Sequence, residues 1–503
     1  MKKLLFTLLL LPLLSSATNY YVSNAGNNSS NGLTQGTAWL TLARVTTAGQ
    51  AGTIVAGDSV LFRRGDEFTS PDQFNGFQWW GWGGNTCASG TSTNPIVFSA
   101  YGVGAKPNFI FPNPASEHFK NRSALSFEGV DYIIVDGLQF NDTRVMPVSK
   151  TASAYTTAGV VFGESGSGAE SNHCIIRNCY FYGVGNGVVA VGDYNQIVDN
   201  VMEEFGNIYF NSGFGGDYGA NAITLTGDRN YVARNTISGA WAYSEDFGLN
   251  GGAIEFFGTN TNSKIERNTF IDCGGVGEFG ASDMGAVCEN DTFAYNLILN
   301  VGGASYVNVS GSFAIEPDNL CWFNNVYIEN SYSRFSGVNF GTGFTSFPTW
   351  PTLPQPEEVV FTNNGSPSAS VVWNLKNNIF IVDNGLTVMG KPAKSTHTNN
   401  LYRLTGGSSA GTTLGISEVA SSDSLFVSEM GNPSSWDYHL IVGSPAVGIG
   451  QVITGLTTDY FGLGLIGVRN AGVSNSVGTP PPSSNTIKFP IKINGVIYKG
   501  WKN

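Results

Sequence analysis

From about residue 174 one short pattern keeps returning: an aliphatic residue, two variable residues, an asparagine and, two places further, another apolar side chain. Its instances are I-I-R-N-C-Y, I-V-D-N-V-M, V-A-R-N-T-I, I-E-R-N-T-F, F-A-Y-N-L-I, W-F-N-N-V-Y and L-K-N-N-I-F. They carry Asn178, Asn200, Asn235, Asn268, Asn296, Asn325 and Asn378. Successive asparagines lie 22 to 35 residues apart, with one gap of 53. A unit this short cannot bury an apolar face alone, so it must stack on copies of itself. One column (Ile175, Ile197, Val232, Ile265, Phe293, Trp322, Leu375) and another (Tyr180, Met202, Ile237, Phe270, Ile298, Tyr327, Phe380) are apolar and face one core. The column before the asparagines is polar apart from Tyr295 and faces out.

A second strand precedes many of these units, in G-V-V-A-V-G, N-A-I-T-L-T-G, G-A-I-E-F-F-G, G-A-V-C-E-N and F-A-I-E-P-D. Val189, Ile223, Ile254, Val287 and Ile315 then form a third inward column. Two short strands per unit with little helical periodicity predict an all-β solenoid, with coils from about residue 40 to 455 and the asparagines stacked at a bend. The asparagines are assigned a structural ladder and no chemistry. The 65 glycines follow no collagen period, and 41% hydrophobic with 12% charged residues excludes bulk disorder.

Residues 1–17 read as a signal peptide: Lys2 and Lys3, an apolar run from Leu4 to Leu14, then Ser15-Ser16-Ala17. That run is too short to span a bilayer, and no later run is longer, so a secreted chain without a membrane span is expected. A formal charge of −12 argues against nucleic acid. Six cysteines allow buried thiols or one or two disulfides, with 15 complete pairings. The expected domain boundaries are 18–474 for the solenoid, 475–486 for a Pro/Ser linker, and 487–503 for a basic hairpin with Lys488, Lys492, Lys499 and Lys502.

Several segments resemble the right-handed parallel β-helix proteins of the pectate-lyase-like superfamily. They are Y-Y-V-S-N-A-G-N-N-S-S-N-G, T-A-W-L-T-L-A-R-V, G-D-S-V-L-F-R-R-G-D, N-P-I-V-F-S-A-Y-G and the closing G-S-P-A-V-G-I-G and T-D-Y-F-G. The resemblance implies a single-stranded right-handed parallel β-helix acting on, or binding, a polysaccharide or cell-surface glycan. It leaves the activity open among lyases, hydrolases, epimerases and non-catalytic adhesins.

The outward position after the third column reads Ala190, Thr224, Glu255, Cys288, Glu316. Glu255 and Glu316 thus form the expected acid–base pair of a glycoside hydrolase, two strands apart, where a ~6.5–9.5 Å carboxyl separation suits inversion and about 5 Å retention, with Asp283 in the loop between them. Nearby loops combine acids, aromatics and glycine. Asp217, Tyr218, Trp241, Tyr243, Glu245 and Asp246 are the expected sugar contacts, joined by Phe247, Glu278 and Phe279. No cofactor is required, although the loop carboxylates suit Ca²⁺. A polysaccharide lyase, the alternative, needs a base such as Arg229, Arg234, Lys264 or Arg267, and no lysine occurs in residues 265–375. A glycan-binding adhesin or phage spike-like protein, as an oligomer such as a trimer, is the non-catalytic alternative. Trp79, Trp80 and Trp82 suit either a carbohydrate platform or a cap on the open end of the coil.

Overall fold

The computed structural model describes residues 17–69, 77–84, 86–111, 122–142, 157–164, 168–205, 220–244, 248–282, 285–330, 359–383, 385–465, 467, 469–475, 491–493 and 496–498. The chain winds through three parallel sheets of 12 strands each. One turn runs through Ile175–Arg177, Tyr180–Tyr182 and Asn186–Val191 before Gln196–Val198 returns to the first sheet, one strand further on. This is the expected parallel β-helix. Short strands with period-two burial send every second side chain inward, and the coils stack these into columns. Phe293 lies on Trp322 with centroids 4.0 Å apart, and Phe256 on Phe279 at 4.4 Å. Burying each such ring contributes about 1.5–3 kcal/mol.

The lower end is closed by the helix Leu42–Gln50, whose first turn is capped by the Thr41 hydroxyl. It sits where the second sheet would otherwise begin and packs on Trp79. A Cβ on Gly49 would come within 2.3 Å of the Trp79 ring, so only glycine allows this approach. The coils begin at Asn19–Val22 and end at Val419–Ala420, short of residue 455. Beyond Ala420 the chain leaves the coil. Leu425, Phe426, Tyr438, Leu440 and Tyr460 pack on Leu297, Leu299, Ile328 and Ile381, on the outer face of the third sheet. At the C-terminus, Ile491–Ile493 pairs antiparallel with Val496–Tyr498.

The asparagine ladder is present and longer than expected. Each backbone N–H donates to the side-chain oxygen of the next coil's asparagine, from Cys179 through Asn200, Asn235, Asn268, Asn296, Asn325 and Asn378 to Asn400. Each Nδ2 donates back to a carbonyl of the preceding coil, as Asn268 does to Val232 at 3.0 Å. Asn178 is not a rung. It stands one place early, at the left-handed turn position that Asp199, Arg234 and Arg267 occupy in later coils. Ile176 rather than Ile175 pairs with Ile197, and Phe181 rather than Tyr180 with Met202. Cysteine takes the first rung.

A second ladder, not foreseen, runs along the opposite end of the first sheet: Cys174 to Asn195, Asn230, Ser263 and Asp291. All six cysteines are buried thiols outside any disulfide, so the disulfide alternative does not hold. Cys174 and Cys179 instead begin the two ladders, where burial pushes both thiols up to about 12.

Asn268→Leu should lower stability by about 3 kcal/mol or more, because it orphans the Asn235 N–H and the Val232 carbonyl at once. Denaturant unfolding of the two proteins checks this. Asp291 gives the opposite expectation. Its Oδ2 has no hydrogen-bond partner among the described residues, and burial pushes its carboxyl from 3.8 up to about 7. The folded protein holds a proton that the unfolded chain releases, so stability falls as pH rises from about 4 through 7. Asp291→Asn should therefore be near neutral at pH 4 and stabilise at pH 8 by a few kcal/mol, on the order of the shift, read from melting curves at both pH values.

Candidate active site on the second sheet

The strand Ile254–Thr261 organises the site. It is long enough to pair with two strands on its upper side. Its first half meets Gly277–Gly280, and its second half meets Val287–Glu289. Ile254, Phe256 and Phe279 point into the core, while Glu255 and Glu278 point out and are half-buried. Glu255 pairs in register with Thr224 below and Glu278 above, and Glu278 in turn with Tyr306. The outward column therefore reads Val189, Thr224, Glu255, Glu278, Tyr306, Thr362.

This corrects the expected column at both ends. Val189, not Ala190, precedes Thr224, and Ala190 is buried. Cys288 and Glu316 are not in it. Glu316 lies on the side branch, paired with Val287, and its exposed carboxylate accepts from the Ser368 hydroxyl. It is offset from Glu255 by two strands and about four residues along them, some ~16 Å in all. That is beyond the reach of a two-carboxylate site. Asp283, Asp217, Tyr218, Glu245 and Asp246 lie outside the described residues, as does Phe247. Tyr243 belongs to Ala242–Ser244, which pairs antiparallel with Gly248–Asn250 in a hairpin leading into the Glu255 strand. Trp241 stands half-buried at its base, over Gly274.

The sequence pattern alone places Glu278 in a loop. The sequence signal for its true place is the repeated Glu-Phe of I-E-F-F-G and G-E-F-G. Gly277 takes the inward position that an aliphatic residue fills in the strand below, which masks the alignment.

Amides hold both carboxylates. Asn221 accepts the Gly252 N–H at 3.0 Å and donates to Glu255 Oε2 at 2.6 Å, and Thr224 adds a hydroxyl at 3.3 Å. Asn308 hydrogen-bonds Glu278 and accepts from Asn364 at 3.0 Å. Burial, then the Glu278 charge, pushes the Glu255 carboxyl up to about 7, against the Thr224 and Asn221 hydrogen bonds. Burial raises Glu278 as well. Like charges on adjacent strands disfavour ionisation of both carboxyls at once.

The cations considered for a lyase lie elsewhere. Arg234 pairs with Asp199 and Arg267 with Glu266, both at the bend between the first and third sheets. Arg229 stacks on Tyr194 beside Asp228. Lys264 opens a first-sheet strand. Among the described residues no three or more His, Cys, Asp or Glu side chains gather as a metal site. Nor is any described helix long and apolar enough to cross a membrane.

No family model and no curated protein matches the chain. Solved structures do. A pectate lyase, Pel9A, aligns over 92% of this chain and 96% of its own at 15% identity with a TM-score of 0.50, and shares the fold. A rhamnogalacturonan lyase aligns over 76% of this chain and 87% of its own at 15% identity, TM-score 0.41. The GH136 lacto-N-biosidase of Eubacterium ramulus aligns over 62% of this chain at 15% identity, TM-score 0.36, and this chain spans 64% of its length. The chain therefore has the parallel β-helix fold of pectate lyase.

Because the Glu255 carboxyl is raised, the folded protein loses stability as pH rises from about 4.5 through 7. Glu255→Gln removes that charge. It should raise the thermal midpoint at pH 8 and leave it unchanged at pH 4.5, as scanning calorimetry at the two pH values will read.

Proposed function

We propose that this protein is an exported enzyme that cleaves glycosidic bonds in an uncharged polysaccharide, with retention of configuration. The observation that carries this reading is Glu255 and Glu278 side by side, in register, on the outer face of one sheet. Adjacent strands are about 4.8 Å apart. That matches the ~5–5.5 Å carboxyl separation of a retaining glycosidase, whereas inversion needs ~6.5–9.5 Å to admit a water.

Glu278, ionised, attacks the anomeric carbon. Glu255, protonated, gives its proton to the leaving oxygen, so the glycosidic bond breaks as the ester to Glu278 forms. Glu255, now a carboxylate, then takes a proton from water. The resulting hydroxide displaces Glu278, freeing the sugar and restoring both groups. Asn221 and Asn308 hold the two carboxyls in place, which supports orientation of both steps.

Two acids in one column repel a uronate, and no described cation shares the column to neutralise one. This favours an uncharged polymer over a lyase substrate. Export rests on the N-terminal segment.

The test uses neutral polymers (xylan, galactan, mannan), uronate polymers (polygalacturonate, alginate) and aryl glycosides. Reducing ends should appear from a neutral polymer, and Glu255→Gln should lower kcat by about 10²–10⁴-fold. Glu278→Ala should be inactive alone. With azide, which enters from the vacated face, it should release an aryl leaving group and form a glycosyl azide of inverted configuration. Unsaturated uronate products would identify a lyase instead, and retention without turnover a glycan-binding protein.

A further inference from the structure

The outward column that holds the two glutamates continues toward the N-terminal end. Below Thr224 it passes through Val189, Val161, Ser126 and Gln78, in unbroken register. In the strand Phe77–Trp80 the tryptophans divide by pleat. Trp79 is wholly buried beneath the helix, and Trp80 faces out, in register with Glu128. Trp82 follows it onto the outer face. The two outer indoles are half-buried and stack with centroids 5.7 Å apart and planes 28° apart.

Their edges are tied down. Trp80 Nε1 donates to Ser126 Oγ at 3.0 Å, and Trp82 Nε1 donates to Glu128 Oε2 at 3.1 Å. Ser126 Oγ donates to the other Glu128 oxygen at 2.6 Å, so one buried carboxylate fixes both rings. A cap needs indoles inserted in the core, as Trp79 is. Two rings held by their N–H groups on the outside of the coil, on the same face as the candidate catalytic pair, serve a different purpose. Rigid aromatic faces with fixed orientation suit the C–H face of a pyranose.

We infer that Trp80 and Trp82 form a distal sugar-stacking subsite, and that the substrate is an internal stretch of a long neutral glycan lying along the coil axis from Glu278 to Trp80. Ser126 is four strands from Glu255, about 19 Å, a span of several sugar residues. Val161 and Val189 provide a half-buried apolar floor between the two ends, and their strands, Thr157–Phe162 and Asn186–Val191, carry no charged residue. The inference deepens the glycosidase reading and rests on it for the choice of substrate, while the binding it describes is measured separately.

The measurement is affinity electrophoresis and calorimetric titration of the Glu255→Gln protein with the neutral polymer that the enzyme cleaves best, or, if none is cleaved, with each polymer of the panel. Trp80→Ala/Trp82→Ala should weaken polymer binding about tenfold, equivalent to ~1.4 kcal/mol. The loss should be absent for a disaccharide, which cannot reach the indoles from Glu255. Trp80→Phe/Trp82→Phe keeps a ring face and should recover most of the affinity. Polymer affinity that ignores all four substitutions overturns the inference, as does an equal loss for polymer and disaccharide. Indole-dependent binding in a protein that cleaves nothing supports the subsite and removes the acid–base reading. Cleavage with indole-independent binding does the reverse.

Discussion

Everything in this molecule depends on how a coil turns its corner. The residue before each ladder asparagine is left-handed without being glycine: Asp199, Arg234, Arg267, Tyr295, Asn324, Asn377 and Asn399 all have φ between 55 and 59°. That conformation costs roughly 1–2 kcal/mol per residue. The next side chain offsets it, because each buried Asn amide satisfies one N–H and one carbonyl of the coil below it. A corner stabilised only in the company of its neighbours keeps the coils in register. Register, in turn, makes Glu255 and Glu278 adjacent.

That dependence explains what could be read from the chain in advance. The bends were visible because asparagine is the side chain whose amide both gives and accepts at that spot, and the core columns because aliphatic and aromatic residues must fill them. The first unit still slipped by one place, since Asn178 resembles a rung while the rung itself is Cys179. The site was harder. In sequence the column leads through Cys288 to Glu316, because those segments have an aliphatic inward residue, Val287 and Ile315, as the core demands. The actual next strand has Gly277 there, a position the large neighbouring rings Phe279 and Phe293 fill instead. Residues that obey the packing rule stand out in the sequence. The branch at Ile254–Thr261, where one strand serves two, departs from it beside the two acids.

The same geometry shapes the electrostatics. In a loop, two acids can turn away from each other. On adjacent strands of a sheet their Cβ atoms are held one strand spacing apart, and partial burial removes the water that would screen them. Burial and the neighbouring charge raise the Glu255 carboxyl against the hydrogen bonds from Asn221 and Thr224, and burial raises Glu278 against that from Asn308. In the proposed mechanism, the carboxyl that keeps its proton is the acid and its ionised neighbour the nucleophile.

The segment beyond the last coil changes how such a stack can come apart. A solenoid bound only by nearest neighbours unzips from a free end, one coil at a time. Here the returning chain laces across that end. Asn324 Nδ2 donates to the Asn470 carbonyl, Asn377 exchanges two hydrogen bonds with Gln451, and Asn399 reaches the Ile449 carbonyl. Three successive corners are thereby fastened to one strap, and Thr269, further down, is fastened to Tyr460. Peeling the top coil means lifting the strap from the coils beneath it as well. What would be a series of small openings becomes a single large one, and the terminal coils, otherwise the most readily frayed, share the cooperativity of the middle.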